Sequence, residues 1–333
     1  MRNSRSSRYM VVALTLLLGC LSNAAAEVSD NKCDSLMTRP DASLDDLVDA
    51  GCELSPAQIS ELMDNPVGEL VSIPLQFDRL TVTEPFGGRE LTIETTKLIP
   101  TFPTKLGKNW TLVNRLVIPH AKVPVDSDAL AAAGLRPDVP LLEANTVTSD
   151  PFSGSTSGLG DLTYVGLITP RKTTKTKTGK VIWAAGPTVV FPTAEDDLLG
   201  QGKYQLGPAF ALGYLGERWT VGALAQHWWS VGGASDRSSV NQSNIQYFIY
   251  YKLKNQWSIG ASPSISMDWS GSGSPIVNAP IGIGINKTLF IGKLPVRVGL
   301  EATRYVVQEG AISPDWGLRL SITPAVPSAF LKR

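Results

Sequence analysis

The sequence has 333 residues, of which 43% are hydrophobic and 18% are charged, and its 30 basic residues balance 30 acidic ones. Beyond residue 26 there is no stretch of 18 consecutive apolar residues, which excludes a transmembrane helix from the mature chain. The balanced charge gives no reason to expect nucleic acid as a partner. Composition alone fits either a soluble all-β protein or a membrane β-barrel.

The start of the chain is typical of an exported protein. Basic residues are followed by an apolar run over 10–21 and by the small residues Ala24, Ala25 and Ala26. This pattern predicts a signal peptide over residues 1–26, because the apolar run is shorter than the roughly 20 residues of a spanning helix. The residues before Cys20 are similar to a lipoprotein cleavage box, so lipidation of Cys20 is the alternative.

Residues 27–70 differ in charge from the rest of the chain. They contain eleven acids and two bases, a net charge of −9, whereas residues 71–333 carry +6. Cys33 and Cys52 are the only cysteines left after cleavage, and in an oxidising compartment such a pair usually bonds. We therefore expect an acidic periplasmic extension with a Cys33–Cys52 disulfide.

Two short helices are predicted within this extension. The first runs from Ser43 to Ala50 and ends at Gly51. The second begins at Ser55-Pro56, where a serine N-cap precedes proline in the first helical position, and it ends before Asn65-Pro66. The extension is expected either to remain a linker or to close the mouth of the following domain.

From residue 71 onward the sequence predicts an all-β domain of about twelve antiparallel strands. Apolar residues alternate with small or polar residues, as in Ile281, Ile283 and Ile285, which gives each strand one apolar face. The segments have the length of strands that cross a bilayer at a tilt. They lie at 71–83, 90–103, 109–119, 159–169, 180–191, 204–214, 218–229, 241–252, 257–268, 277–289, 294–306 and 315–325.

Three tight turns end on a tryptophan, namely Leu106–Trp110, Leu215–Trp219 and Leu253–Trp257. Tryptophan prefers the membrane–water interface, so Trp110, Trp219 and Trp257 are predicted to form an aromatic girdle around one rim of a transmembrane barrel. A soluble sandwich would also alternate, but it would leave these tryptophans unexplained.

The connections alternate between long and short, as they do in outer-membrane barrels with short periplasmic turns and long external loops. The longest external connection is 120–158. The exception is 170–179, a basic Thr/Lys insertion where a short turn is expected, which we interpret as a solvated hairpin tip. The pattern predicts an up-and-down transmembrane β-barrel over residues 71–333.

Several short motifs resemble one family of outer-membrane proteins, the MetA-pathway of phenol degradation family, whose members are often labelled simply as transporters. The resemblance covers roughly residues 65–325 and implies an outer-membrane barrel that passes organic compounds. The basic insertion and the acidic head are departures from it. Its motifs are Asn65-Pro66, Ser72–Phe77, Gly158–Asp161, Gly186-Pro187, Phe191–Thr193, Asp197–Lys203, Gly207-Pro208, Trp229–Gly233, Val240–Gln242 and Pro314–Arg319.

Alternation assigns a set of polar residues to the lumen, where their other inward neighbours are mostly Gly, Ser, Thr and Ala. Arginines of this set either face its acids across the lumen and set its selectivity, or pair with them into ladders that hold a filled barrel, and the pattern favours the second arrangement. The arginines are Arg115, Arg297 and Arg319, and the acids are Glu94, Asp161 and Glu301. The predicted lumen-lining residues are Glu94, Arg115, Asp161, Gln226, Asp268, Arg297, Glu301 and Arg319.

Enzymatic and metal-binding alternatives have less support. An outer-membrane hydrolase needs a paired Ser and His, but only His120 and His227 are present, and Ser230, three residues from His227, points to the opposite face. Two separated histidines predict no metal site, and no cofactor is expected. The acidic loop Pro192–Asp197 could bind cations weakly, although a solvated loop is the simpler interpretation.

The sequence therefore predicts a bacterial outer-membrane channel for passive diffusion of small organic, aromatic or hydrophobic compounds, and no catalytic residues. Its partners are expected to be membrane lipid, lipopolysaccharide, small organic solutes and the outer-membrane assembly machinery. Loop 120–158 or the head would gate it. A structural or adhesion barrel with a filled lumen is the alternative, and a hydrolase is a more remote one.

Overall fold

The computed structural model describes Cys33, Ser35, Leu36, Asp46, Leu47, Ala50, Cys52 and residues 54–65, 67–68, 70–83, 88–128, 151–271, 273–292, 294–309 and 314–327. The chain divides into two compact units, Met1–Leu54 with Pro327–Arg333, and Ser55–Val326. Among the described residues, no helix has both the length and the apolar character needed to cross a membrane.

The larger unit contains twelve antiparallel strands, four of which consist of two segments. They are β1 (Leu70–Ser72 and Leu75–Thr83), β2 (Glu90–Leu98 and Thr101–Leu106), β3 (Trp110–Val123), β4 (Thr156–Leu159 and Leu162–Pro170), β5 (Gly179–Phe191), β6 (Lys203–Gly216), β7 (Trp219–Gly233), β8 (Asn241–Lys252), β9 (Trp257–Ala261 and Ser264–Asp268), β10 (Ile276–Ile291), β11 (Leu294–Gln308) and β12 (Pro314–Pro327).

Each strand pairs with the next one along the chain, and β12 pairs with β1, which closes the barrel. At the seam, Arg319 lies opposite Asp78 and Leu320 lies opposite Phe77. Closure leaves no edge strand with unpaired backbone groups, as a bilayer requires. The predicted twelve-stranded up-and-down barrel is confirmed.

Prolines interrupt three of the strands without disturbing the barrel. Pro74, Pro100 and Pro263 lie at the breaks in β1, β2 and β9, because proline cannot donate a hydrogen bond to the ladder. Backbone hydrogen bonds bridge the breaks: the Ile99 amide donates to the Pro74 carbonyl over 2.8 Å. Within the basic insertion 170–179, Thr174–Lys175 forms a two-residue strand that pairs with β5.

The outer surface of the barrel is apolar. Ile283 is 67% exposed, and Leu320 and Phe210 also project outward, so one face of the alternating pattern forms the surface that meets lipid. A soluble β-sandwich would bury the apolar face of each strand between its two sheets, because exposure of that face to water is unfavourable. The apolar surface therefore places the strands in a bilayer.

Tryptophans surround both rims of this apolar surface. The predicted residues Trp110, Trp219 and Trp257 project outward at the end with the short turns, and Trp183 packs edge-on against Trp110 at 6.0 Å. A second exposed group, Trp229, Trp269 and Trp316, lies at the opposite end. Trp219 and Trp229 are ten residues apart on β7, and at about 3.3 Å per residue and a tilt of about 40° this corresponds to about 25 Å of membrane thickness.

One helix of the larger unit, α1 (Pro56–Met63), lies inside the barrel, where its last turn contacts the inward side chain of Arg297. Ser55 caps it as predicted: its side chain accepts from the Gln58 amide, and the Gln58 side chain accepts from the Ser55 amide. Leu62, on α1, is only 2% exposed. The described residues from Ser55 to Leu70, which the sequence assigned to the extension, are grouped with the barrel in the compact unit Ser55–Val326.

The smaller unit contains the disulfide. Cys33 and Cys52 are bonded with 5.5 Å between their Cα atoms. Cys52 is 1% exposed, and its amide donates to the Leu47 carbonyl over 3.0 Å. Asp46, Leu47 and Ala50 are helical, in the region of the first predicted helix, while the other residues of that helix lie outside the described part of the chain.

Candidate functional site

The interior of the barrel has one apolar wall and one polar wall. The apolar wall is formed by inward residues of β3 to β7, and it packs against Val67, which follows α1. Sequence alternation had predicted mainly small inward residues, and this prediction is wrong for these strands because their side chains bury Val67. The wall consists of Val113, Val165, Leu167, Ile182, Ala184, Ala209, Ala211, Leu215 and Leu224.

The polar wall contains a network of four charged groups near the seam between β12 and β1. The Arg319 Nε donates to Asp78 Oδ1 over 2.6 Å, and Lys97 Nζ lies 2.9 Å from Asp78 Oδ2. Glu301 Oε2 accepts from the Ser262 amide over 2.8 Å, while its Oε1 lies 3.8 Å from Arg319 Nη1. Arg319 therefore holds two acids together inside the barrel.

A second charge cluster fixes α1 to the barrel wall. Asp64, at the end of α1, lies 2.7 Å from Arg297 and 3.1 Å from Lys252. Arg297 also donates to the Ser60 and Met63 carbonyls at the helix C-terminus, where backbone carbonyls lack partners within the helix. We call the described residues between Ser55 and Gly68 the plug, since these contacts hold them at the short-turn end of the barrel.

A cavity of about 260 Å³ lies between the plug and both walls. Arg115, Arg297, Glu301 and Arg319, four of the predicted lumen residues, line it together with Asp64. Arg297, Arg319, Glu301 and Asp64 all take part in ion pairs. Arg115 is different, because it forms no ion pair or hydrogen bond with any residue in the described part of the barrel. The structure thus brings half of the predicted lumen set to one cavity.

Gln226 and Asp268 lie on the inward face towards the long-loop end of the barrel. Gln226 accepts from the Thr188 hydroxyl over 3.3 Å, and Asp268 accepts from the Ser270 amide over 2.8 Å. Nearby, Gln201, Gln205 and Gln242 form a cluster of mutual side-chain hydrogen bonds. Sequence reasoning missed this cluster because Gln201 belongs to a loop, where alternation gives no direction.

Two predicted lumen residues lie elsewhere. Glu94 is exposed and lies opposite Arg79 and Lys122. Lys97, three residues further along β2, points inward to Asp78. Residues three apart on a strand point to opposite faces, so Glu94 faces outward. Asp161 lies at the break in β4 and accepts from the Ala194 and Gln201 amides, at 3.1 and 2.7 Å. It therefore orders an external loop, and among the described residues it forms no ion pair with an arginine across the lumen.

The acidic loop is similarly tied to the protein. Glu195 accepts from the Leu159 amide, Asp196 accepts from the Leu198 amide, and Arg237 donates to the Asp197 carbonyl. The Glu195 and Asp196 carboxylates therefore act as structural acceptors, and the Asp197 carboxylate lies 3.4 Å from Arg237 Nη1. In the described residues no group of three or more metal-ligating side chains occurs.

A Ser–His contact that the sequence did not reveal lies on the outer wall. His227 Nδ1 is 2.7 Å from the Ser243 hydroxyl, because the two residues are directly opposite each other on β7 and β8. Trp269 also donates to this hydroxyl over 3.0 Å. Within the described part of the chain, the buried Nε2 of His227 has no hydrogen-bond partner, so no third group there orients the histidine as in a catalytic triad.

Comparison with solved structures places this architecture among outer-membrane barrels. The COG4313 outer membrane channel from Pseudomonas putida F1 matches with a TM-score of 0.55 and 18% identity, over 79% of this chain and 97% of that one. The P. putida toluene transporter TodX matches with a TM-score of 0.34 and 9% identity, over 84% and 94% of the two chains. The first match supports the same fold.

The sequence comparisons point to one family. No curated protein matches the sequence. A family model described as "Putative MetA-pathway of phenol degradation" matches residues 80–267, more than half of the chain. This range includes β2 to β8 and the apolar wall formed by the strands, whereas Asp78, Glu301 and Arg319 of the polar wall lie outside it. The chain is an outer-membrane β-barrel that belongs to this family.

Proposed function

We propose that the protein is a channel through which small organic compounds diffuse passively across the outer membrane, with its N-terminal extension in the periplasm. The observation that carries this proposal is the two-sided cavity: its apolar wall suits a hydrocarbon ring, and its polar wall suits a hydroxyl or a charge. The family and the COG4313 channel support the same class of function.

The plug suggests how passage is controlled. It forms part of the cavity lining through Met63, Asp64 and Val67. Its shortest ion pairs with the wall centre on one carboxylate, Asp64, so we propose that the plug shifts when these contacts break. Most of the alternative gate, the external connection 120–158, lies outside the described residues.

Permeation tests the proposal directly. We expect proteoliposomes to swell faster in phenolic solutes than in sugars of similar size, after subtraction of the rate in protein-free vesicles. The apolar wall would give the phenolic compounds this advantage. Equal rates with and without protein for every solute would overturn the proposal.

A structural barrel with a filled lumen is the second candidate, and the plug and the Arg319 network support it because both occupy the interior. Planar bilayers separate the two functions. Discrete conductance steps support a channel, whereas a silent protein that is fully inserted supports the structural barrel.

A hydrolase is the third candidate, and it rests on the His227–Ser243 contact alone. Lipid turnover by the purified protein that is lost in Ser243→Ala would establish it. We expect no difference between Ser243→Ala and the wild type, because His227 Nε2 has no orienting partner.

A further inference from the structure

The strongest unexplained feature of the interior is the position of Arg115. On β3 its inward neighbour is Val113, and across the sheet it lies opposite Val165 on β4. Val113 and Val165 are almost completely buried parts of the apolar wall. A guanidinium beside such a wall loses much of its hydration and needs an anion to compensate.

The acids of the cavity do not supply that anion. Asp64 is paired with Arg297 and Lys252, and Glu301 is paired with Arg319. Arg115 itself forms no ion pair or hydrogen bond with the residues described. The charged groups that line the cavity comprise three arginines and two acids, which gives an excess of one positive charge. The cavity is therefore suited to a ligand with a single negative charge.

Glu301 provides a second, independent observation. Its Oε2 accepts from the Ser262 amide, but the buried Oε1 accepts no hydrogen bond from any residue that the structure describes, and Arg319 Nη1 is 3.8 Å away. Glu301 lines the same cavity as Arg115. A hydroxyl group on a ligand could donate to this free oxygen, which would satisfy a buried acceptor.

We propose that the cavity binds a monocyclic aromatic carboxylate, with its carboxylate on Arg115, its ring against the apolar wall and a ring hydroxyl directed to Glu301. Arginine suits this role because its fork of N–H groups matches the two oxygens of a carboxylate. The volume of about 260 Å³ is slightly below the range of about 300–1,000 Å³ for small-molecule pockets, which favours a single ring.

This inference names the substrate class of the proposed channel and therefore rests on that proposed function. It is tested separately, by measuring ligand binding. Calorimetric titration of the detergent-solubilised full-length protein would use benzoate, 4-hydroxybenzoate and the uncharged analogue benzamide. We expect benzoate to bind at least about tenfold more tightly than benzamide, because a charge-assisted pair is absent from benzamide. We also expect 4-hydroxybenzoate to bind more tightly than benzoate.

The decisive variant is Arg115→Gln, with Arg304→Gln as its matched control. Arg304 is 61% exposed on the outer side, so its replacement removes the same charge without touching the cavity. We expect Arg115→Gln to weaken benzoate binding about tenfold or more and to leave benzamide binding unchanged, while Arg304→Gln has no effect. Arg115→Lys should restore part of the benzoate affinity.

The binding site and the channel function are tested by different results. Equal benzoate affinity in Arg115→Gln and the wild type, with both proteins showing the folded band in unheated electrophoresis, overturns the site. Equal rates of benzoate entry into proteoliposomes and into protein-free vesicles, with Arg115-dependent benzoate binding intact, would overturn the channel and leave the site.

Discussion

Asp64 Oδ1 lies 2.7 Å from Arg297 Nη2, and this contact joins the end of helix α1 to strand β11. Lys252 on β8 approaches the other oxygen of the same carboxylate at 3.1 Å. The Asp64 side chain is only 13% exposed, so both cations depend on it for compensation. One carboxylate therefore holds the plug to two separate parts of the barrel wall.

Asp64→Asn is expected to loosen the plug. It removes the charge that binds Arg297 and Lys252, and loss of hydrogen bonds to a charged group costs about 1–3 kcal/mol. We expect more frequent or longer open states in planar bilayers, with the unfolding of the barrel little changed.

Glu61→Gln is the matched control, because Glu61 is half exposed and lies 3.6 Å from Lys180. An exposed pair of this kind contributes about 0–1 kcal/mol, so this variant should conduct like the wild type. If Asp64→Asn also conducts like the wild type, the plug does not control passage.

The Arg319 network is expected to stabilise the barrel. Arg319→Leu leaves Asp78 and Glu301, which are 6% and 9% exposed, without their shared cation. Removal of one partner from a buried pair costs about 3–5 kcal/mol. We expect a correspondingly lower free energy of unfolding in urea, measured in detergent micelles.

Arg297→Leu provides the comparison for this variant. Asp64 retains Lys252 after this change, whereas Arg319→Leu leaves Asp78 with Lys97 but removes the cation that faces Glu301, so the barrel should lose less stability in Arg297→Leu. Equal losses would show that the seam network has no special role. If both variants lose stability but keep the solute selectivity of the wild type, these arginines hold the barrel together and do not select solutes.

The barrel itself could be predicted from sequence because bilayer physics dictates its pattern. Ile281, Ile283 and Ile285 alternate with small residues, and no other environment explains an exposed row of this kind. Ser55-Pro56 likewise specified the start of α1. These signals are local, and they therefore survive in a single sequence.

The interior could be predicted only in part. Glu94 was assigned to the wrong face of β2, because the apolar neighbours of an isolated charged residue do not fix the direction of its side chain. The apolar wall was missed because Val67, the residue it buries, lies in the plug and not in the sheet. His227 and Ser243 are brought together by the register of β7 and β8, which cannot be read from the sequence alone.

The disulfide is expected to stabilise the extension but not the barrel. Residues 55–326 contain no cysteine, while Cys33 and Cys52 close a loop with a sequence separation of 19. A loop of this size contributes about 3 kcal/mol through the unfolded state. We expect reduction to make the extension sensitive to protease, and to leave the heat-modifiable band of the barrel unchanged. A reduced barrel that unfolds at a lower temperature would contradict this division.

On the lipid-facing surface, the loss of unfolding free energy caused by a charged substitution should depend on the depth of the residue in the bilayer. Ile283 is 67% exposed at the middle of β10, midway between the two tryptophan rims, so Ile283→Arg places a charge near the centre of the bilayer. Transmembrane barrels lose about 2–4 kcal/mol from such a change. We expect that loss in urea unfolding of the protein in lipid vesicles.

Val231→Arg is the matched control, since Val231 is 64% exposed but lies beyond Trp229, at the outer rim. Near the interface the same arginine costs about 0–1 kcal/mol, because its side chain reaches the headgroups. The difference between the two variants should disappear in detergent micelles, which adapt around a charge more readily than a bilayer does. Equal costs in vesicles would mean that Ile283 does not face the hydrocarbon core, and the assignment of the outer surface to lipid would then be wrong.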